Sequence, residues 1–130
     1  MSERDRASLL AMLDAITQIE VYTKNTADAR EFHADRLVFD GTLMNFVVLG
    51  EMCARVSEEL RARNPDIEWS QSKDFRNLVA HNYMGIDAGE VRQIIQDDLP
   101  PLKARLRDLT SDDTGVPLPD GSDAPSGGAS

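Results

Sequence analysis

Residues 34–63 have the sequence ADRLVFDGTLMNFVVLGEMCARVSEELRAR, and this stretch decides the fold. Large apolar side chains recur in it at three- and four-residue spacing without an intervening proline, which is typical of an amphipathic helix. The pattern predicts one long helix from about Ala34 to Arg63, ended by Asn64 and Pro65. The apolar positions of this helix are Leu37, Leu43, Met44, Val47, Val48, Met52, Val56 and Leu60.

Two glycines, Gly41 and Gly50, lie inside this long helix. Each weakens a helix by about 1 kcal/mol relative to alanine. Their presence favours a close approach of another helix at these positions, although a locally weak helix would show the same two glycines.

Shorter helical patterns precede the long one. An apolar stripe predicts a first helix over Glu3–Thr23, with Ser2 and Asp5 at its capped start. Thr26 is then expected to open a short helical turn over Ala27–Phe32.

Two helical patterns follow the long one. After a connector that holds the only tryptophan, Ser70 is expected to cap a shorter helix that runs to about His81. Asp87 is expected to cap a last helix over Ala88–Leu109, with a kink or a break at Pro100-Pro101.

The end of the chain has a different composition. Residues 111–130 are mostly Ser, Asp, Gly, Pro and Ala, and such a segment cannot bury enough apolar surface to offset its ordering entropy. We therefore predict a disordered acidic Gly/Ser/Pro tail here and a single helical-bundle domain over residues 1–110. The predicted fold class is all-α, an up-and-down bundle of four main helices with a short extra helix or turn.

Charge and composition exclude several classes of protein. The net charge is -9, and the body without the four aspartates of the tail still carries -5. This argues against non-specific coating of nucleic acid but allows a local basic site, because salt confines charge effects to roughly 8 Å. A single cysteine, Cys53, fits a reducing cytoplasm.

No targeting, membrane or cofactor motif is recognisable. The charged start does not resemble a secretory signal, and the apolar residues are periodic and not continuous, so neither export nor a membrane span is expected. Clusters of Cys and His, P-loops and Gly-rich dinucleotide motifs are absent from the sequence, so we expect no metal and no cofactor.

Residues 75–87 hold the chemistry-bearing side chains. Arg76, Asn77, His81 and Tyr83 fall within eight residues near a predicted helix end. Histidine exchanges a proton near neutral pH, and arginine offers a charged fork for phosphate oxygens. These types suit RNA cleavage by the RNA's own 2′-OH, but Arg76 and His81 lie about 140° apart on an ideal helix. A surface arginine beside a histidine at a helix end would give the same pattern.

The pattern R-x4-H-x-Y, formed by Arg76, His81 and Tyr83, resembles the motif of HepT toxins in the HEPN superfamily. The resemblance covers about residues 5–108. It extends to five further segments: Asp35-Arg36-Leu37-Val38, Leu49-Gly50-Glu51, Asn64-Pro65-Asp66-Ile67-Glu68-Trp69, Tyr83-Met84-Gly85-Ile86-Asp87 and Asp98-Leu99-Pro100.

This resemblance implies a HEPN-like homodimer whose catalytic residues, Arg76 and His81, meet in a cleft between two subunits. The implied activity is that of a metal-independent endoribonuclease toxin acting on mRNA or tRNA. The implied partner is a minimal nucleotidyltransferase antitoxin of the MntA kind, which neutralises the toxin by AMPylation of Tyr83. Two supporting residues are expected: Glu51 would orient Arg76 or His81, and Asn77 would orient the phosphate or the histidine.

Other interpretations of these residues stay open. Glu51 could be a polar group of a dimer interface or a solvated charge, and Asn77 could form a helix-end hydrogen bond. Lys103, Arg105 and Arg107 could guide RNA or form an ordinary solvated face. The protein as a whole could be a non-catalytic nucleotide- or RNA-binding module that serves a nucleotidyltransferase, or a purely structural helical dimer.

Overall fold

The computed structural model describes residues 1–80, 85 and 87–112, and within these residues it contains seven helices and no strand. The all-α prediction is therefore confirmed. The helices are α1 (Glu3–Thr23), α2 (Ala29–Ala34), α3 (Arg36–Ala54), α4 (Glu58–Arg63), α5 (Gln71–Ala80), α6 (Ala88–Asp97) and α7 (Leu99–Asp112).

The long apolar helix α3 lies at the centre of the fold. It packs against α1 on one side and α5 on the other, while α7 packs against α1, and α6 contacts α2 and α7. Helices α1 and α7, which are far apart in the sequence, are also joined by a hydrogen bond, because Arg6 Nη1 donates to the carbonyl of Thr110 at 2.6 Å. The largest fully buried side chains include Met12, Phe32, Phe46, Phe75 and Leu106.

The predicted single helix over Ala34–Arg63 is wrong, because the chain breaks between α3 and α4. Ser57 caps α4 by accepting from the Leu60 N–H at 3.2 Å. The buried carboxylate of Asp5 in α1 in turn accepts from Ser57 N at 2.9 Å and from Ser57 Oγ at 2.6 Å. The break is stabilised by Asp5, 52 residues away in the sequence, and the periodicity of apolar residues cannot reveal such a distant partner.

Local capping predicted the other boundaries better. The first helix spans Glu3–Thr23 as expected, with Ser2 accepting from the Asp5 N–H at 3.0 Å. The cap of α2 is Asp28 and not Thr26, because the Asp28 carboxylate accepts from the Glu31 N–H at 2.9 Å.

The expected interruption near Pro100-Pro101 is a break between α6 and α7. Asp87 caps α6 as predicted, and both prolines occupy the first turn of α7, where a missing N–H costs nothing. Helix α7 runs to Asp112, so the first two residues of the predicted tail are helical. Residues 113–130 lie outside the described residues, and their disorder stays a prediction.

Helix α3 has 19 residues and contains an 18-residue window of mean hydropathy 1.4, so it is long and apolar enough to cross a membrane by length and composition alone. The sequence analysis expected no segment of this kind. The composition has a structural cause here, because the side of α3 that carries Leu43, Phe46 and Leu49 forms the centre of the core.

The opposite side of α3 carries a second, exposed apolar stripe. Leu37, Met44 and Val48 are 88%, 62% and 37% exposed. Their spacing of seven and four residues places them along one side of the helix, and the next residue along that side is Glu51. The apolar set that the sequence analysis treated as one face is therefore divided between the core and a bare surface.

Candidate functional site on the Arg76 side of helix α5

Helices α3 and α5 run antiparallel, and this arrangement positions Arg76. The rings of Phe46 and Phe75 have centroids 5.5 Å apart, and Cys53 Sγ lies 3.7 Å from the Trp69 carbonyl oxygen. Later residues of α3 therefore face earlier residues of the Trp69–Phe75 segment, so the two helices run in opposite directions. Burial raises the pKa of the Cys53 thiol, so this group is a neutral core residue beside the site.

The two helices approach most closely at Gly50. A Cβ atom on Gly50 would lie 2.7 Å from Arg76 Cγ and 2.7 Å from the Ser72 carbonyl oxygen. At Gly41 the neighbour is the Tyr22 ring of α1, 3.1 Å from the corresponding Cβ position. The close approach predicted from these two glycines is confirmed, and at Gly50 it lets the stem of Arg76 lie directly on α3.

The Arg76 guanidinium is held by two groups. Its Nε donates to the Ser72 carbonyl at 3.3 Å, and its Nη1 lies 3.7 Å from Glu51 Oε2. Both side chains of this ion pair are half-exposed, so the pair contributes at most about 1 kcal/mol to stability. The pair places the Glu51 carboxylate beside the guanidinium, and the expected role of Glu51 in orienting Arg76 stays a prediction.

The contact with Ser72 was missed by sequence reasoning. Ser72 precedes Arg76 by four residues, so the guanidinium is directed towards the start of α5. His81 and Tyr83, the other motif residues, lie outside the described residues. Their predicted convergence with Arg76 stays a prediction.

Asn77 lies on a different side of α5 from Arg76, about 100° around the helix. It lines a groove of about 420 Å³ between α5 and the start of α6, and it forms no hydrogen bond within the part of the chain that the structure describes. The described charged groups of this groove are all acidic: Asp74, Asp87 and Glu90. The structure therefore brings Glu51 to Arg76 but does not bring Asn77 there.

Two of the three basic groups of α7 have structural partners. Lys103 Nζ lies 2.7 Å from Glu20 Oε1, and Arg105 Nε lies 2.7 Å from Asp66 Oδ2. The Arg105 guanidinium lowers the pKa of the Asp66 carboxyl below its ordinary value through this hydrogen bond. Lys103 joins α7 to α1, and Arg105 joins α7 to the connector between α4 and α5, which favours the structural interpretation of the α7 face over an RNA guide.

Comparison with known proteins adds the family. The family model described as Ribonuclease HepT-like matches residues 12–109. A Methanocaldococcus jannaschii protein with a provisional name as an RNase is 27% identical over 107 residues, which are 82% of this chain and 97% of that protein. A Thermococcus cleftensis protein named a probable ribonuclease HepT is 23% identical over 96 residues, which are 74% of this chain and 86% of that protein.

No solved structure matches the chain. The family match nevertheless extends from α1 to α7 and includes both helices that position Arg76. The chain belongs to the HepT-like ribonuclease family of the HEPN superfamily.

Proposed function

We propose that this protein is a metal-independent endoribonuclease toxin that cleaves mRNA or tRNA. The observation that carries the proposal is Arg76, a half-exposed guanidinium beside Glu51 and the Ser72 carbonyl, within a ribonuclease family match. The guanidinium has five donors in a planar fork, and only two of its nitrogens have partners among the described residues. Donors therefore remain for the oxygens of a scissile phosphate.

The proposed reaction needs no protein nucleophile. His81 accepts the proton of the RNA 2′-OH, and the 2′ oxygen attacks the adjacent phosphorus. The bond from phosphorus to the 5′ oxygen breaks, a proton from water neutralises that leaving oxygen, and the product ends in a 2′,3′-cyclic phosphate. Arg76 stabilises the negative charge that builds on the phosphoryl oxygens.

A second copy of the chain would complete the site. Arg76 is directed towards the start of α5, whereas His81 follows the last described residue of that helix. Two copies sharing one cleft would let Arg76 of one subunit act with His81 of the other. The exposed stripe of Leu37, Met44 and Val48 runs along α3 towards Glu51, and it is an apolar surface suited to a homodimer.

Replacing Met44 with glutamate tests this dimer. The new charge would be desolvated in an α3–α3 interface, so we expect Met44→Glu to shift the protein to a monomer in analytical ultracentrifugation and to abolish cleavage. Leu10→Glu is the matched control, because Leu10 is an exposed apolar residue of α1 outside the stripe. A Met44→Glu protein that stays dimeric would show that the interface lies elsewhere.

The proposed control of the toxin acts on Tyr83. A nucleotidyltransferase antitoxin of the MntA kind would transfer AMP from ATP to the tyrosine hydroxyl, which attacks the α-phosphate and releases pyrophosphate. The added phosphate would place negative charge two residues from His81. It would repel the RNA backbone and block access to the cleft.

The test is RNA cleavage in excess EDTA by the unmodified protein and by its His81→Ala variant. We expect the parent to cleave tRNA or mRNA and the variant to lose all cleavage. The matched control is His33→Ala, which removes the other histidine of the chain, an exposed residue of α2, and should leave cleavage unchanged. Cleavage by His81→Ala at the parental rate would refute the proposed reaction.

Mass spectrometry completes the design by confirming that Tyr83 carries no AMP. If an unmodified parent cuts neither tRNA nor mRNA, the nuclease proposal fails and a non-catalytic RNA-binding module is favoured. Retained cleavage after incubation with the transferase and ATP, once AMP is attached to Tyr83, would refute the proposed control.

A further inference from the structure

Two more cations, Lys73 and Arg55, are neighbours of the Glu51–Arg76 pair by helical spacing. Lys73 precedes Arg76 on α5 by three residues, which is about 60° around the helix and about 4.5 Å along it. Arg55, the C-cap of α3, follows Glu51 by four residues, which is about 40° around the helix axis and 6 Å along it. Because the helices are antiparallel, Arg55 and Lys73 both lie beyond Arg76 in the direction of the start of α5.

The charges of these two residues have no partner in the part of the chain that the structure describes. Both are exposed, and neither side chain forms an ion pair or a hydrogen bond with residues 1–80, 85 or 87–112. Other cations have structural roles: Arg61 binds the carbonyls of Ala54 and Val56, and Arg92 binds those of Thr26 and Ala27. The charges of Arg55, Lys73, Arg76 and Glu51 sum to two positive units, in a chain of net charge -9.

The two sides of α5 have opposite charge. One side faces the groove whose described charged groups are Asp74, Asp87 and Glu90. The other side, at the seam with α3, carries Arg76, and Lys73 lies between the two sides, about 60° around the helix from Arg76 and 40° from Asn77. An anionic strand is repelled from the first side and attracted to the second.

We propose that an RNA strand lies along the α3–α5 seam, with Lys73 and Arg55 binding backbone phosphates next to the phosphate held by Arg76. This inference rests on the proposed function, and it assigns the direction of the substrate on the protein surface. Long basic side chains that have no partner among the described residues suit phosphate contacts, which position a strand without recognising its sequence. The surface therefore contributes affinity and not base specificity.

The test is binding of a fluorescein-labelled 2′-O-methyl RNA oligonucleotide, which lacks the nucleophile and stays intact. Fluorescence anisotropy over a range of salt concentrations gives the slope of log K against log salt. For each lost phosphate contact on a single strand, the slope should become shallower by about 0.7. We expect this change for Lys73→Gln and for Arg55→Gln, about twice the change for the double variant, and about a five- to tenfold loss of affinity per residue at low salt.

Matched controls are Lys24→Gln and Arg30→Gln, which remove the same charges from exposed side chains at the α1–α2 end of the protein. Each control should change the affinity by less than about twofold and leave the slope unchanged. Three results would each overturn the proposed path of the strand. They are an unchanged salt slope in the double variant, a loss of affinity in the controls equal to that in Lys73→Gln and Arg55→Gln, and no binding of the oligonucleotide by the parent.

This binding assay is independent of the cleavage assay. If Lys73→Gln and Arg55→Gln reduce the salt slope but the parent cleaves no RNA, the proposed strand path is supported and the nuclease proposal is refuted. Cleavage that depends on His81, together with unchanged slopes, would uphold the nuclease and refute the strand path.

Discussion

Gly50→Ala is expected to lower the free energy of unfolding by about 2–3 kcal/mol, although alanine forms helices better than glycine. The added Cβ would lie 2.7 Å from the Ser72 carbonyl oxygen. That oxygen belongs to the backbone of α5 and cannot rotate away, so α5 must move outward from α3. The overpacking outweighs the gain of about 1 kcal/mol in helix propensity.

The matched control is Gly41→Ala, at the other glycine of the same helix. Its Cβ would meet Tyr22 Cε2 at 3.1 Å, and this half-exposed ring can move aside. We expect Gly41→Ala to be neutral or to stabilise by up to about 1 kcal/mol in urea unfolding. Equal stability changes in the two variants would contradict the close packing of α3 and α5 at Gly50.

Gly50→Ala should also reduce RNA cleavage in protein that is still folded. Movement of α5 carries Arg76 with it, and a misplacement of about 1 Å in a catalytic group can cost about 100-fold in rate. The measurement is single-turnover cleavage at a temperature where circular dichroism shows a fully folded variant. If the folded variant cleaves RNA at the parental rate, the close packing at Gly50 is not needed to position Arg76.

Asp5→Ala is expected to destabilise the protein by about 2–4 kcal/mol, the second large effect. The buried carboxylate accepts two hydrogen bonds from Ser57, and a hydrogen bond to a charged group contributes about 1.5–3 kcal/mol. Its removal leaves the Ser57 N–H without this partner at the junction of α3 and α4. The free energy of unfolding in urea measures the effect.

An exposed cap provides the comparison for Asp5. Asp28→Ala removes the N-cap of α2, whose hydrogen bond is exposed to solvent, and should cost about 1 kcal/mol. A double-mutant cycle of Asp5→Ala with Ser57→Ala should be strongly non-additive, because the two side chains share one interaction. A cost of Asp5→Ala below that of Asp28→Ala would show that the α3–α4 break does not depend on α1.

Features encoded by neighbouring residues were predictable from the sequence. The bounds of α1 and the Asp87 cap of α6 follow from side chains within three residues of the helix ends. The break at Ser57 was not predictable, because its cause is the distant Asp5. The division of the α3 apolar residues into a buried and an exposed set was missed for a similar reason, since it depends on which sides α1 and α5 cover.

The candidate site shows the same distinction. The family motif identified Arg76, and the structure places Glu51 beside it as expected. Asn77 is adjacent to Arg76 in the sequence but lies about 100° away on the helix, where it lines the acidic groove. The contribution of Ser72 is a backbone carbonyl, which any residue type provides, so the sequence could not identify it.

The bond between Arg6 and the carbonyl of Thr110 has a consequence for synthesis on the ribosome. It joins residues 104 positions apart, and α7 also packs along α1. While α7 is still inside the ribosome, one side of α1 in the nascent chain therefore stays exposed. The domain can fold completely only after α7 has emerged, so truncated translation products that lack α7 should be unstable.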